Sequence, residues 1–352
     1  MDLSEPTVQE VTQIWLSKSS IYFPSGRMGR YIYMMDNKNE YGKGYSTPRQ
    51  HHTVPGSYLK GFVHTEGDRL ALYDRERRQF RSERPGVVAR QRDYYAYETQ
   101  LGKKTIAVEE YLERRENAGM RVINKIDSGA IDLTFEERVD LAFFAALQHT
   151  RIPAFAEIVA DFDKVVHDAL KEENFYPLGD PHQPDLSGMP GAISPAELMQ
   201  HIEDRPSNTR NAHIEAMLSS AQPIAEILLK QQWVIVRRPS IQTAFITSDK
   251  PFCLMPRPGL KQNAFMGVGV ATPGIDNVLP LSSSSVLVSQ GPGVGIRTCV
   301  LSRDDVRRMN QSVALNCQHY IFGRDVSLIK RIVVSTGIDK KKWREEKRVD
   351  EI

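Results

Sequence analysis

The hydrophobic period changes twice along this chain, and that order restricts the fold more than any other feature. Residues 68–99 hold short alternating stretches, "RLALYD" and "RRQFRS", then the aromatic piece "DYYAYET", which read as a β-hairpin followed by a further extended segment. From Lys104 to Gln232 the apolar residues fall at helical spacing, as Ile106, Val108, Tyr111, Leu112, Val122, Ile123 and Ile126 do. After Gln232 the chain returns to β-branched runs bounded by Pro and Ser, "WVIVRRP", "TAFITSDKPF" and "VLPLSSSSVLVSQ", predicting strands near 233–237, 243–247 and 285–289. Strands, then helices, then strands argue for an α+β fold and against alternating βαβ units. We expect one small mixed β-sheet, built from N- and C-terminal segments and packed on a central helical layer.

Local signals refine this layout. Thr134 and Glu137 form a capping box ahead of the strongly apolar "DLAFFAAL" helix, which Pro153 should end or kink after Arg151. Residues 176–196 are rich in Pro and Gly and read as a long loop, and a helix is expected over roughly 207–230. "RDDVRRMNQSVALNCQ" opens with two acids that suit the positive end of a helix dipole. Residues 1–46 have no clear period and read as an N-terminal extension, 47–334 as a single body, and 335–352 as a charged tail.

Composition excludes several classes. Hydrophobic residues at 40% and charged ones at 26% are those of a globular protein. No run of 18 apolar residues is present, so no membrane partner is expected. "MDLSEPTVQEVTQIW" lacks the basic and apolar regions of a secretory leader. Cys253, Cys299 and Cys317 are odd in number and far apart, offering neither a disulfide framework nor paired zinc spacing, so a cytoplasmic, reducing location is expected. Lys and Arg number 46 against 44 acids, a net charge of +2 that predicts no partner. Residues 68–92, however, carry eight Arg against Asp68, Asp74, Glu76 and Glu83. That local excess suits either a solvated hairpin or contact with phosphates.

The segments "HHTVPGSYLKGF", "DYYAYET", "VEEYLERREN", "ERVDLAFFAALQHTRIPAF", "FITSDKPF" and "VLPLSSSSVLV" occur in this order, over about residues 50–333. Together they closely resemble the family catalogued as domain of unknown function 4238, whose members are mainly bacterial. The resemblance implies a shared layout, and the family's name assigns no chemistry. The family's opening histidine, proline and Tyr-Leu fall on His52, Pro55, Tyr58 and Leu59, its helical glutamate on Glu116, and its Gln-x-x-Arg-x-Pro turn on Gln148, Arg151 and Pro153. Its late motif falls on Thr247, Ser248, Asp249 and Pro251.

Each of these residues has a structural and a chemical reading. His52 sits before a turn whose Val54 is held extended by Pro55, and it can link elements or act as a general base. Asp249 follows a strand and precedes "KPF", a place for an Asx turn or for a catalytic carboxylate. Arg151 suits a helix C-terminus, or in a cleft would grip a phosphate bidentately. Glu116 lies among Arg114, Arg115 and Arg121 and has a salt-bridging alternative. If the four converge, His52, Glu116 and Asp249 would be catalytic and Arg151, Gln148 and Ser248 would bind substrate, a set suited to phosphodiester hydrolysis with or without Mg²⁺ on the two carboxylates. The leading expectation is a nuclease-like hydrolase of a phosphate-containing substrate, with nucleic acid as partner and the Arg-rich hairpin tracking its backbone. The alternative is a non-catalytic binding or regulatory protein in which the same residues form a structural polar network. The Gly-rich "MGVGVATPG" and "GPGVGIR" lack the strand–GxGxxG–helix context of a pyrophosphate cradle, and "PLSSSS" lacks a GxSxG elbow.

Overall fold

A computed structural model describes residues 50–64, 67–98, 104–105, 107–161, 209–259 and 269–339. The expected N-terminal extension, the 176–196 loop and the tail beyond Asp339 lie outside the described residues. The described residues open with β1 (Gln50–His52), which turns at Pro55 into the short helix α1 (Gly56–Leu59) and a 3-10 turn (Lys60–Phe62). The hairpin β2 (Leu70–Asp74) and β3 (Gln79–Glu83) follows, then β4 (Arg90–Arg92), β5 (Tyr97–Glu98) and β6 (Lys104–Thr105). The helical middle is α2 (Ala107–Asp127), α3 (Phe135–Thr150), helical residues 153–161, and α4 (Thr209–Leu229). Then come β7 (Gln231–Arg237), β8 (Thr247–Ser248), β9 (Cys253–Pro256), β10 (Ile275–Pro280), β11 (Ser285–Pro292) and β12 (Ile296–Val300). Helix α5 (Arg303–Asn316), β13 (Tyr320–Gly323) and α6 (Val326–Thr336) complete the described chain.

The class is α+β, but the strands divide between two principal sheets where one was expected. A five-stranded sheet, ordered β12-β7-β11-β10-β9, comes entirely from the C-terminal half. A four-stranded sheet, ordered β3-β2-β13-β8, interleaves both ends of the chain. Its members pair antiparallel, with Ile321 opposite both Tyr73 and Ser248. Two ribbons, β1-β4 and β5-β6, flank these sheets.

The strands alternate between two cores, as period-2 side-chain geometry requires. Trp233, Ile235, Leu279 and Leu287 join a core shared with α2, α3 and α4. Val236, Val278, Val286 and Val288 face a second core with residues of α5 and α6. In the other sheet Leu72 and Phe322 belong to the first core, Tyr73 and Ile321 to the second. The predicted helical layer therefore has a counterpart on the opposite side of the strands.

The helices start where their caps predict. Thr134 accepts from the Glu137 amide at 3.2 Å while the Glu137 carboxylate accepts from the Thr134 amide at 2.8 Å. Ser302 caps α5, and Asp304 and Asp305 sit in its first turn. Helices α2 and α3 meet at Gly119, where an added Cβ would lie 2.5 Å from the Phe144 side chain. The "GPGVGIR" segment is a crossover and not a hairpin turn, because β11 and β12 lie on opposite sides of β7 and β12 runs parallel to it. Gly293 and Gly295 take φ of 150° and 154° there, a region that L residues with a Cβ avoid.

"PLSSSS" has a structural account. Ser282, Ser284 and Ser285 donate their hydroxyls to one oxygen of Asp127, at 3.0, 3.1 and 2.6 Å. This fastens the β10-β11 turn to the last residue of α2. Strand β8 is shorter than the 243–247 run predicted, since Ala244–Ile246 are buried without pairing in a ladder.

Candidate functional site

The late part of the chain meets its front at Tyr58. This buried hydroxyl donates to the Pro280 carbonyl at 2.6 Å and so accepts from Thr247 Oγ1 at 2.8 Å. One tyrosine thereby ties together the opening, late and serine-rich motifs.

Arg151 is the centre of a second junction. It is 2% exposed, at the C-cap of α3, and its guanidinium donates in three directions. Nε reaches the Tyr95 hydroxyl at 3.1 Å, NH1 the Glu116 carboxylate at 2.5 Å, and NH2 the His52 carbonyl at 2.6 Å. The Tyr95 hydroxyl donates in turn to the Arg151 carbonyl at 3.0 Å, closing a ring, and the guanidinium carbon lies 5.4 Å from the Tyr95 ring centroid. Burial opposes the charge of Arg151, but Tyr95 and Glu116 outweigh it and raise its pKa. Helices α2 and α3, strand β1 and the Tyr94–Tyr95 turn are held by one cation.

The two adjacent histidines belong to the same construction. His51 is buried, stacks on Tyr95 with ring centroids 5.7 Å apart and planes within 7°, and accepts the Tyr95 amide proton at Nδ1 over 2.7 Å. Its proton therefore sits on Nε2, 3.7 Å from Glu109. His52 turns the other way. Its Nε2 accepts from Arg90 Nε at 3.0 Å and lies 3.2 Å from the Gly86 carbonyl. Burial first, then the positive charge of Arg90, lowers the His52 pKa. With that lone pair engaged by an arginine, the imidazole is a poor proton acceptor.

The structure joins His52, Glu116 and Arg151 through direct hydrogen bonds. Asp249, Ser248 and Gln148 are placed elsewhere. Asp249 is 8% exposed, and its two oxygens accept the amides of Gln318 at 2.9 Å and His319 at 2.6 Å. Burial raises its pKa, opposed by those amides. Its own amide donates to Tyr320 at 3.1 Å, so the side chain fixes the turn from α5 into β13. Ser248 makes a local turn with Lys250. Gln148 is fully buried, and neither of its amide atoms has a hydrogen-bond partner among the described residues. The two carboxylates expected to share a metal thus serve different partners. Among the described residues no three His, Cys, Asp or Glu side chains gather as metal ligands.

Beside Asp249 the fold leaves an open cleft of about 530 Å³. One wall is the β1-β4 ribbon, through Thr53, Ala89 and Arg90, and the other is the β2-β3 hairpin and β13, through Arg77, Arg81 and Tyr320. His319 and Asp249 border its end. Arg77 is 65% exposed, and Arg81 is oriented by the buried carboxylate of Asp74 at 3.0 Å. Ala89 has a φ of 50°, unusual for a residue with a Cβ, and its carbonyl takes both the amide (2.8 Å) and the hydroxyl (3.1 Å) of Thr53. The Arg-rich hairpin is the one part of this cleft that residue types reveal. Arg90 belongs to the same Arg-rich stretch of 68–92, whereas His319 and Tyr320 leave no such sign, because they reach the cleft only through the pairing of β2 with β13.

An α+β body with its motif residues at the junctions of its elements places this chain in a class defined by architecture. The chain belongs to the family described as Protein of unknown function (DUF4238), which it matches over residues 50–327. Comparison with curated proteins and with solved structures finds no match. Among the described residues no helix is long and apolar enough to cross a membrane.

Proposed function

We propose that this protein binds a phosphate-bearing ligand in the cleft between the β1-β4 ribbon and the β2-β3 hairpin, and that the motif residues build the walls without doing chemistry. One observation carries this reading. Arg77, Arg81 and Arg90 converge on a cavity of about 530 Å³, a volume suited to a small ligand or a segment of a larger one. Guanidinium forks match the oxygens of a phosphate, and one fork is already oriented by Asp74. By contrast, the donors of Arg151 are directed to groups of the chain itself.

Titration calorimetry with pyrophosphate and with adenosine monophosphate tests the proposal. Binding is expected to weaken tenfold or more in Arg77→Ala/Arg90→Ala, with the melting temperature little changed. Equal affinity of the double variant and the parent sinks the reading.

A hydrolytic role has one observation in its favour: His319 and Asp249 border the same cleft. Nuclease assays with added Mg²⁺ decide between the two. Binding alone predicts no turnover, whereas cleavage that His319→Ala abolishes would make the cleft an active site.

A further inference from the structure

We infer that the ligand is a single strand of nucleic acid, several nucleotides long, which leaves the cleft across β4 and enters a second cavity beyond it. This rests on the proposed cleft and specifies what fills it. The second cavity, of about 350 Å³, is bordered by Arg92, Tyr94, Arg210 and His213, with Ala156, Val159 and Ala160 as its apolar side. None of the described residues bordering it is acidic.

The two cavities are neighbours along two seams. Gln91 borders both, Arg90 only the first and Arg92 only the second, so β4 is the ridge between them. All three residues of β4 are exposed. The helical residues 153–161 make the other seam, Pro153 at the first cavity and Ala156, Val159 and Ala160 at the second. A ligand spanning both would meet Arg77, Arg81 and Arg90, with Glu83 and Asp249 beside them, in the first cavity and Arg92 and Arg210 in the second.

Each cavity also holds an aromatic ring already braced from behind. Tyr320 stacks with Phe322, centroids 6.0 Å apart, and Tyr94 rests edge-on to Tyr95 at 4.9 Å and tilted to His213 at 5.2 Å. A train of cations interspersed with fixed rings is the chemistry that receives a flexible polyanion bearing flat bases. A mononucleotide would use one cavity, and a paired helix would keep its bases stacked on one another and away from the rings. An acidic peptide would satisfy the arginines but gain nothing from the rings.

Fluorescence anisotropy on the full chain tests this, with labelled oligo(dT) and oligo(U) of about four and about twelve nucleotides. Adenosine monophosphate, duplex DNA and poly-glutamate serve as competitors. The longer strands are expected to bind at least tenfold more tightly than the shorter. Arg92→Ala/Arg210→Ala should weaken the twelve-mer about tenfold and flatten its salt dependence by roughly 1.4 in log–log slope, at about 0.7 per phosphate contact. The same variant should leave adenosine monophosphate binding and the melting temperature unchanged. Affinity independent of length, indifference of the twelve-mer to Arg92 and Arg210, or equal displacement by poly-glutamate or duplex overturns the inference and leaves the cleft reading standing. No binding of any phosphate ligand overturns both.

Discussion

Two arginine sites lie close together in this molecule and are built on opposite plans. At Arg151 a single guanidinium is buried and its nitrogens donate to Tyr95, Glu116 and the His52 carbonyl. In the neighbouring cleft, several guanidiniums stand at a surface, where Arg81 and, at longer range, Arg77 lean on Asp74 and Arg90 on His52. A buried cation paired this completely sets the geometry of the elements around it, and removing it strands every acceptor it served. Exposed arginines contribute little to stability and keep their donors for something outside the chain. His52 joins the two sites. Its carbonyl belongs to the buried hub and its imidazole to Arg90, so the hub positions the cleft wall.

The sharpest way to break this contrast is Arg151→Met. It should cost about 3 kcal/mol, because Glu116 and the His52 carbonyl, both half-buried, lose a charged partner, and the melting temperature should fall by roughly 10 °C. A variant as stable as the parent would mean that Arg151 is not the hub. Asp249→Ala comes next, at about 2–3 kcal/mol, since the amides of Gln318 and His319 lose their acceptors. Asp249→Asn, which keeps one acceptor oxygen, should recover part of that loss, and chemical denaturation measures both.

A smaller effect concerns His213, whose pKa burial lowers to about 4 from 6.5. The unfolded chain takes up that proton more readily than the folded one, so the contribution to stability is complete above about pH 7. It is lost as pH falls through 6.5 towards 4. His213→Gln should flatten the melting-temperature profile in this window while leaving its value near pH 8 almost unaltered. An unchanged profile would show that other groups govern the acid limb.

Much of the scaffold could be read from residues alone. The Thr134–Glu137 capping box, the two acids opening α5, the α2 stripe and the β2-β3 hairpin are local patterns whose partners lie within a few positions. The division into two sheets was hidden, because it depends on β13 inserting between β2 and β8 across more than seventy residues of intervening chain. The motif residues were found, but their partners were not. Asp249 bonds to backbone amides, which carry no side-chain signature, and His52 is held by Arg90, 38 positions away. Tyr95 sat inside a recognised motif and could have been singled out as a hydroxyl that buried cations use. The cleft was half legible, since clustered arginines are visible in sequence while the wall that faces them is not.

The place of β13 has a consequence for biosynthesis. Among the described strands, until residues 320–323 leave the ribosome, β2 can pair only with β3, and β8 has no strand partner. The first hairpin must therefore wait, its inner edge open, while the long stretch between Asp74 and Tyr320 is made. A nascent chain stalled before Tyr320 should recruit chaperones that hold exposed strands, and emergence of β13 should end that dependence at once.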